Sequence, residues 1–149
     1  MKRILFIFLL CFAGISAFAQ EGLYIEDLFE GRVIPLKHMK RSFISGSELH
    51  PYGLDTYKSL KFSVDEGDFH TVEVLVMKDA NASTDKQTVF SGDHLTYAVI
   101  CFPPTLTGLN RFLCFQAVEK KGKWDVTVVY LRGTATVEDL DAMFNKKRK

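Results

Sequence analysis

No motif of known catalytic chemistry and no surplus of one charge marks this sequence. Nineteen basic and 18 acidic residues leave a net charge of +1 at pH 7. That balance argues against a protein built mainly to bind nucleic acid or an anionic membrane. There is no HExxH, HxH or CxxC spacing to set metal ligands on one face, so His38, His50, His70 and His94 read as ordinary histidines. The absence of GxSxG, GxxxxGK(S/T) and GxGxxG leaves acyl transfer and phosphate-loop chemistry without support. Nothing calls for a cofactor or a metal. Internal repeats, low-complexity tracts and a linker long enough to separate domains are missing too, which points to a single domain.

The amino terminus, by contrast, is strongly patterned. Lys2 and Arg3 precede an apolar run from Ile4 to Phe18, and Ala17-Phe18-Ala19 supplies a small-x-small cleavage site before Gln20. This is the order of a secretory signal peptide. Residues 1–19 are expected to be removed and residues 20–149 to form one α+β domain. Lys2 and Arg3 leave with the leader, which turns the formal charge from +1 to −1. An uncleaved anchor would need about 20 apolar residues, and Gln20-Glu21-Gly22 ends the run too early. A lipid-modified terminus would need a cysteine at the cleavage point, but Cys11 lies inside the run. No membrane-spanning segment is expected after cleavage.

Of three cysteines, Cys11 goes with the leader. Cys101 and Cys114 remain as a candidate disulfide in an oxidising compartment. A bridge across that span would be worth on the order of 3 kcal/mol in the chain-entropy picture. The alternative is a pair of thiols packed as small apolar side chains. Both cysteines fall on apolar strands, which disfavours a Cys–His catalytic pair.

The mature chain divides into recognisable elements. Tyr24 to Phe29 has i,i+4 apolar pairs and reads as a short helix that ends before Pro35. Met39 to Ser45 reads as a strand, residues 48–57 as a loop with a helical turn, and Leu60-Phe62-Val64 as a half-buried strand. Residues 68–81 fit two templates. Val72, Val74 and Val76 alternate as in a strand, whereas Phe69, Val72, Val76 and Ala80 line one side of a helix capped by Asp68. Length and the polar sequel at 78–88 favour the helix. Leu95 to Phe102, Phe112 to Val118 and Trp124 to Tyr130 read as an antiparallel meander. Cys101 and Cys114 meet across it only in one register, which Pro103 and Pro104 leave open. Thr136 and Asp139 fit a capping box ahead of a carboxyl-terminal helix, with Val137, Leu140 and Phe144 as its buried stripe. The expected architecture is α+β: an antiparallel sheet of about four to five strands with helices packed on it.

The segment Val126 to Phe144, the leader ending Ala17-Phe18-Ala19-Gln20, and Leu23 to Phe29 resemble the corresponding parts of small exported proteins of Gram-negative bacteria. Those proteins are catalogued as domains of unknown function. The resemblance implies a bacterial envelope setting and brings no catalytic residues.

Two functional readings follow. The first is a non-enzymatic envelope domain that binds another protein, a glycan or a small molecule. Trp124, Tyr130, Tyr97, Phe102, Phe112 and Phe115 make the meander aromatic and would form either a binding face or core. The second is a hydrolase or other enzyme with a site assembled from residues distant in sequence. Glu66/Asp68 and Asp139/Asp141 are the carboxylate pairs available to it, although each reads first as a solvated turn or helix surface. The basic clusters Lys37 to Arg41 and Lys146 to Lys149 read as solvated charge. Asn81-Ala82-Ser83 is a formal glycosylation sequon, relevant only in a cell that modifies exported proteins.

Overall fold

The computed structural model describes residues 23–83, 85–140 and 142. The leader, Asp141, Phe144 and the basic cluster 146–149 lie outside the described residues. Six strands follow in chain order: β1 (Lys40–Ser45), β2 (Leu54–Val64), β3 (Asp85–Ser91), β4 (His94–Phe102), β5 (Asn110–Lys120) and β6 (Lys123–Gly133). The helices α1 (Glu26–Phe29) and α2 (Glu66–Asn81) accompany them. The strands form one sheet in the order β1-β2-β6-β5-β4-β3, and every neighbouring pair is antiparallel. The chain makes the β1–β2 hairpin, crosses one face through α2, and returns by the meander β3–β4–β5–β6 until β6 pairs with β2.

The expected α+β class and carboxyl-terminal meander are present, but the sheet has six strands rather than four to five. The extra strand is β3, at one edge. Six of its seven residues are exposed, so it carries none of the alternation that marks a half-buried strand. Two-residue turns fix the register of β3 on β4 and of β5 on β6. Lys121 and Gly122 (φ 54° and 79°) link the paired Lys120 and Lys123, the left-handed pair that a type I′ turn requires.

Residues 66–81 are helical, and the capping residue is Asp65 rather than Asp68. Its carboxylate accepts from the Asp68 N–H at 2.9 Å. Phe69, Val72, Val76 and Ala80 are completely buried, while Val74 is exposed. A strand would have put Val74 beside Val72 and Val76. The buried stripe packs on the core-facing residues of the sheet, among them Leu60, Phe62, Leu113, Phe115, Trp124 and Val128. Phe69 stacks flat on Trp124, with centroids 4.1 Å apart and planes 4° from parallel.

The opposite face carries a smaller core at one end, built from Leu49, Leu54, Phe112, Leu131, Ala135 and Leu140. The 3-10 helix Ser47–Tyr52 and the segment after β6 cover it. The capping box forms as expected: the Thr136 N–H donates to Asp139 Oδ2 at 2.9 Å, and the Asp139 N–H donates to Thr136 Oγ1 at 3.2 Å. The chain is helical over 137–140 and at 142, a short piece, and Leu140 reaches the small core. Gly133 lets two backbones meet there. A Cβ on it would lie 2.5 Å from Leu54 Cα and closer still to Gly53 O. Neither neighbour is a side chain that could turn away. Gly133→Ala is therefore expected to destabilise the fold by about 1–3 kcal/mol, the usual cost of overpacking, readable as a lower urea midpoint with an unchanged slope.

The register also settles where the cysteines stand. Cys101 pairs with Phe112 and Cys114 with Val99, so the two are diagonal neighbours on one face, and they are not joined. Diagonal positions lie about 7–8 Å apart, beyond the usual Cα separation of a disulfide. The candidate bridge required the two cysteines to be directly opposite, and the β4–β5 pairing is offset from that arrangement by two residues.

Candidate functional site

Three places outside the main core combine chemistry with geometry: the sheet face turned away from α2, a histidine held by carboxylates, and a buried aspartate under α1.

Coverage of the second face fades from one end to the other. In one register row Leu131 and Phe112 are buried at 2% and 3% exposure beneath the small core. In the next row Val129, Cys114 and Val99 are half-buried neighbours. Beyond it come Thr127, Gln116, Tyr97 and Val89. Tyr97, Val89 and Val118 are exposed there. Burial, and secondarily the nearness of Cys101, pushes the Cys114 thiol up to about 11, so it stays protonated and unreactive near neutral pH. Of the six meander aromatics, Trp124, Tyr130, Phe102, Phe112 and Phe115 are core, and only Tyr97 is exposed. Period-two placement on a strand selected burial for most of the set.

His94 sits at the start of β4, where the β3–β4 turn meets the amino-terminal half of α2. Its Nδ1 is 3.0 Å from Glu73 Oε1 and its Nε2 is 2.9 Å from Glu66 Oε1. The other Glu73 oxygen accepts the Leu95 N–H at 2.7 Å. The ring leans on Trp124 and Phe69, with centroids 4.9 and 5.5 Å away. The hydrogen bond to Glu73, reinforced by Glu66, raises the His94 pKa above its ordinary value.

Asp79, on the last turn of α2, is buried and accepts the N–H groups of Tyr24 (2.9 Å) and Ile25 (3.0 Å). It satisfies donors at the start of α1, which has no side-chain cap of its own. Desolvation raises its pKa, and the two backbone donors and the charge of Arg111 partly oppose that. The result is a strap that ties the segment before β1 to the helix. A pocket between α1 and the sheet, lined by Leu23, Ile25, Glu26, Phe29, Lys58 and Tyr130, has room for little more than a water molecule.

The structure separates the residues singled out from sequence. His38, His50 and His70 are exposed. Glu66 and Asp68 do not act as a pair: Glu66 reaches His94, while Asp68 gives its N–H to Asp65. Among the described residues no group of three or more His, Cys, Asp or Glu could hold a metal ion. Glu73 and Asp79 were missed, yet a signal for them existed. Glu73 lies four residues after Phe69 and Asp79 three after Val76, which places both carboxylates on the buried stripe of α2. An acid on such a stripe needs a partner.

This combination defines a small α+β domain whose single antiparallel sheet is roofed by one long helix and is half open on the other side. The chain belongs to a family of unknown function, DUF6108, whose pattern matches residues 12–144, in keeping with the expected membership of an uncharacterised family. No curated protein and no solved structure matches it. No helix among the described residues is long and apolar enough to cross a membrane.

Proposed function

We propose that this is an exported envelope domain that works by binding another protein, with the uncovered half of the second sheet face as the docking surface. The observation that carries the reading is the graded exposure from Leu131 and Phe112 to Val89, Tyr97 and Val118. Val89, Tyr97 and Val118 continue the apolar core outward along β3, β4 and β5, beside a charged margin of Lys61, Asp125 and Lys120, the arrangement of an apolar patch with a polar rim. Tyr97 is the one exposed aromatic of the meander set, and a sugar-stacking platform would want more. Val89, Val99, Val118 and Val129 supply apolar surface that a protein partner would bury. Export rests on the leader pattern at residues 1–19, and a Gram-negative envelope on the resemblance of the sequence.

The enzyme reading finds less to work with. His94 has carboxylates at both nitrogens, and the small pocket lined by Leu23, Ile25, Glu26, Phe29, Lys58 and Tyr130 does not include it. A thiol-specific reagent tests the docking surface. Gln116→Cys places a reactive thiol at its centre, and His70→Cys places one on the exposed side of α2. Position 116 is expected to label several-fold more slowly in intact cells than in purified protein, while position 70 labels alike in both. Equal labelling of position 116 in the two settings would contradict the proposal.

A further inference from the structure

We infer that His94, held between Glu66 and Glu73, is a proton-operated latch that fastens the amino-terminal half of α2 to the start of β4 when the ring is charged and slackens when it is neutral. The latch lies on the helix side of the sheet, away from the proposed docking surface. It follows from the bonding capacity of imidazole. Both ring nitrogens face carboxylate oxygens, at 3.0 Å for Glu73 and 2.9 Å for Glu66. Ionised carboxylates only accept, so both contacts are hydrogen bonds only when both nitrogens carry protons. A neutral ring has one N–H and must lose one partner.

The surroundings decide which partner goes. Glu73 is only 9% exposed and is also fixed by the Leu95 N–H, so the one remaining N–H stays on Nδ1 and is donated to Glu73. The Glu66 side chain is 71% exposed and turns to water at little cost. Glu66 belongs to the first turn of α2, so its release frees that turn. The charges acting on the ring are Glu73 and Glu66 from α2. His70 lies further out, its Nδ1 3.9 Å from Glu73 Oε1. β6 presents the uncharged Trp124, and β3 places Ser91 opposite His94.

The sign follows from the raised pKa. The folded state holds the proton more tightly than the unfolded chain does. The latch is therefore fully engaged below the ordinary histidine value of 6.5 and is lost as pH rises through the folded value. Trp124, the one tryptophan in the chain, has its ring centroid 4.9 Å from that of His94, and its fluorescence is expected to change as the imidazole titrates.

The test is an NMR titration of the full chain with the His94 resonance assigned through His94→Gln, paired with amide exchange corrected for intrinsic rates. The midpoint is expected above 6.5 and lower in Glu66→Gln, an exposed change that leaves the core intact. Protection of the first α2 turn should fall about twofold to fivefold as pH crosses that midpoint, the range of an exposed ion pair. In Glu66→Gln this fall should be absent. A midpoint at or below 6.5, a midpoint that Glu66→Gln leaves in place, or protection independent of pH would each overturn the latch.

Discussion

Phe69→Ala is expected to cost about 3–5 kcal/mol, the range for removing a fully buried ring. Against a total stability of about 5–15 kcal/mol, that is enough to leave much of the protein unfolded at moderate temperature. The reason is the position of the ring. Phe69 has no exposed surface and stacks on Trp124 at 4.1 Å and on Phe115 at 6.3 Å. It also supports His94 from one side at 5.5 Å. The residual cavity would lie where α2 meets the centre of the sheet, with few routes to collapse. Trp124 fluorescence during urea unfolding reads the loss directly. A shift below 1 kcal/mol in Phe69→Ala would mean that the helix does not anchor the core in this way.

Asp79→Ala is the second large effect, and a local one. The change leaves the buried Ile25 N–H without its acceptor and the part-buried Tyr24 N–H likewise. Hydrogen bonds to charged groups are worth about 1.5–3 kcal/mol each, and part of that loss is offset because a carboxylate no longer has to be buried. A net cost of about 2–4 kcal/mol is expected, concentrated on the segment before β1. Ile25 and Leu28, both buried, would come away from the core together. Limited proteolysis should then cut the variant between α1 and β1 under conditions that leave the parent intact, with the meander still protected. Cleavage spread evenly over the chain would show that the strap does not act locally.

Acid does not break this strap by protonating Asp79 in the usual sense. Burial raises the Asp79 pKa, so the folded state binds this proton more readily than the unfolded one. Its contribution to stability therefore falls, rather than rises, as pH increases through the interval between the two values. His94 has the same sign at a higher pH.

What could be read from the sequence follows from how each element is buried. The meander was legible because β4 and β6 alternate between core and second face, as in the buried Trp124, Val126, Val128 and Tyr130. The capping box of Thr136 and Asp139 was legible because its two hydrogen bonds are local. β3 was not, because it pairs with β4 alone and buries almost nothing. Residues 68–81 fitted two periods because three valines at alternate positions also fit a helix with one of them in solvent. Tertiary packing of Phe69 on Trp124 decides that case. The His94 cluster joins positions 21 and 28 residues apart, and no spacing rule links a turn on α2 to the first residue of a later strand. The cysteine register likewise depends on how the loop at Pro103 and Pro104 closes, which strand patterns leave open.

One sheet with one long helix gives the domain a sealed side and an unfinished side. Asp79 and His94 secure the sealed side: the first ties down α1, the second the amino-terminal half of α2. On the unfinished side the core fades toward exposed Val89, Tyr97 and Val118, with Asp125 linked to Ser63 and Lys120 at its margin. That asymmetry is why binding, rather than catalysis, is the reading we favour.

Site-specific photo-crosslinking in the producing cells tests this most directly. A crosslinker in place of exposed Tyr97 should yield one dominant protein adduct, identified by mass spectrometry, whereas the same group in place of His70 on the outer side of α2 should yield none. Equal adducts at both positions, or none at residue 97 in cells that make the protein at its natural level, would contradict a docking role for the open face.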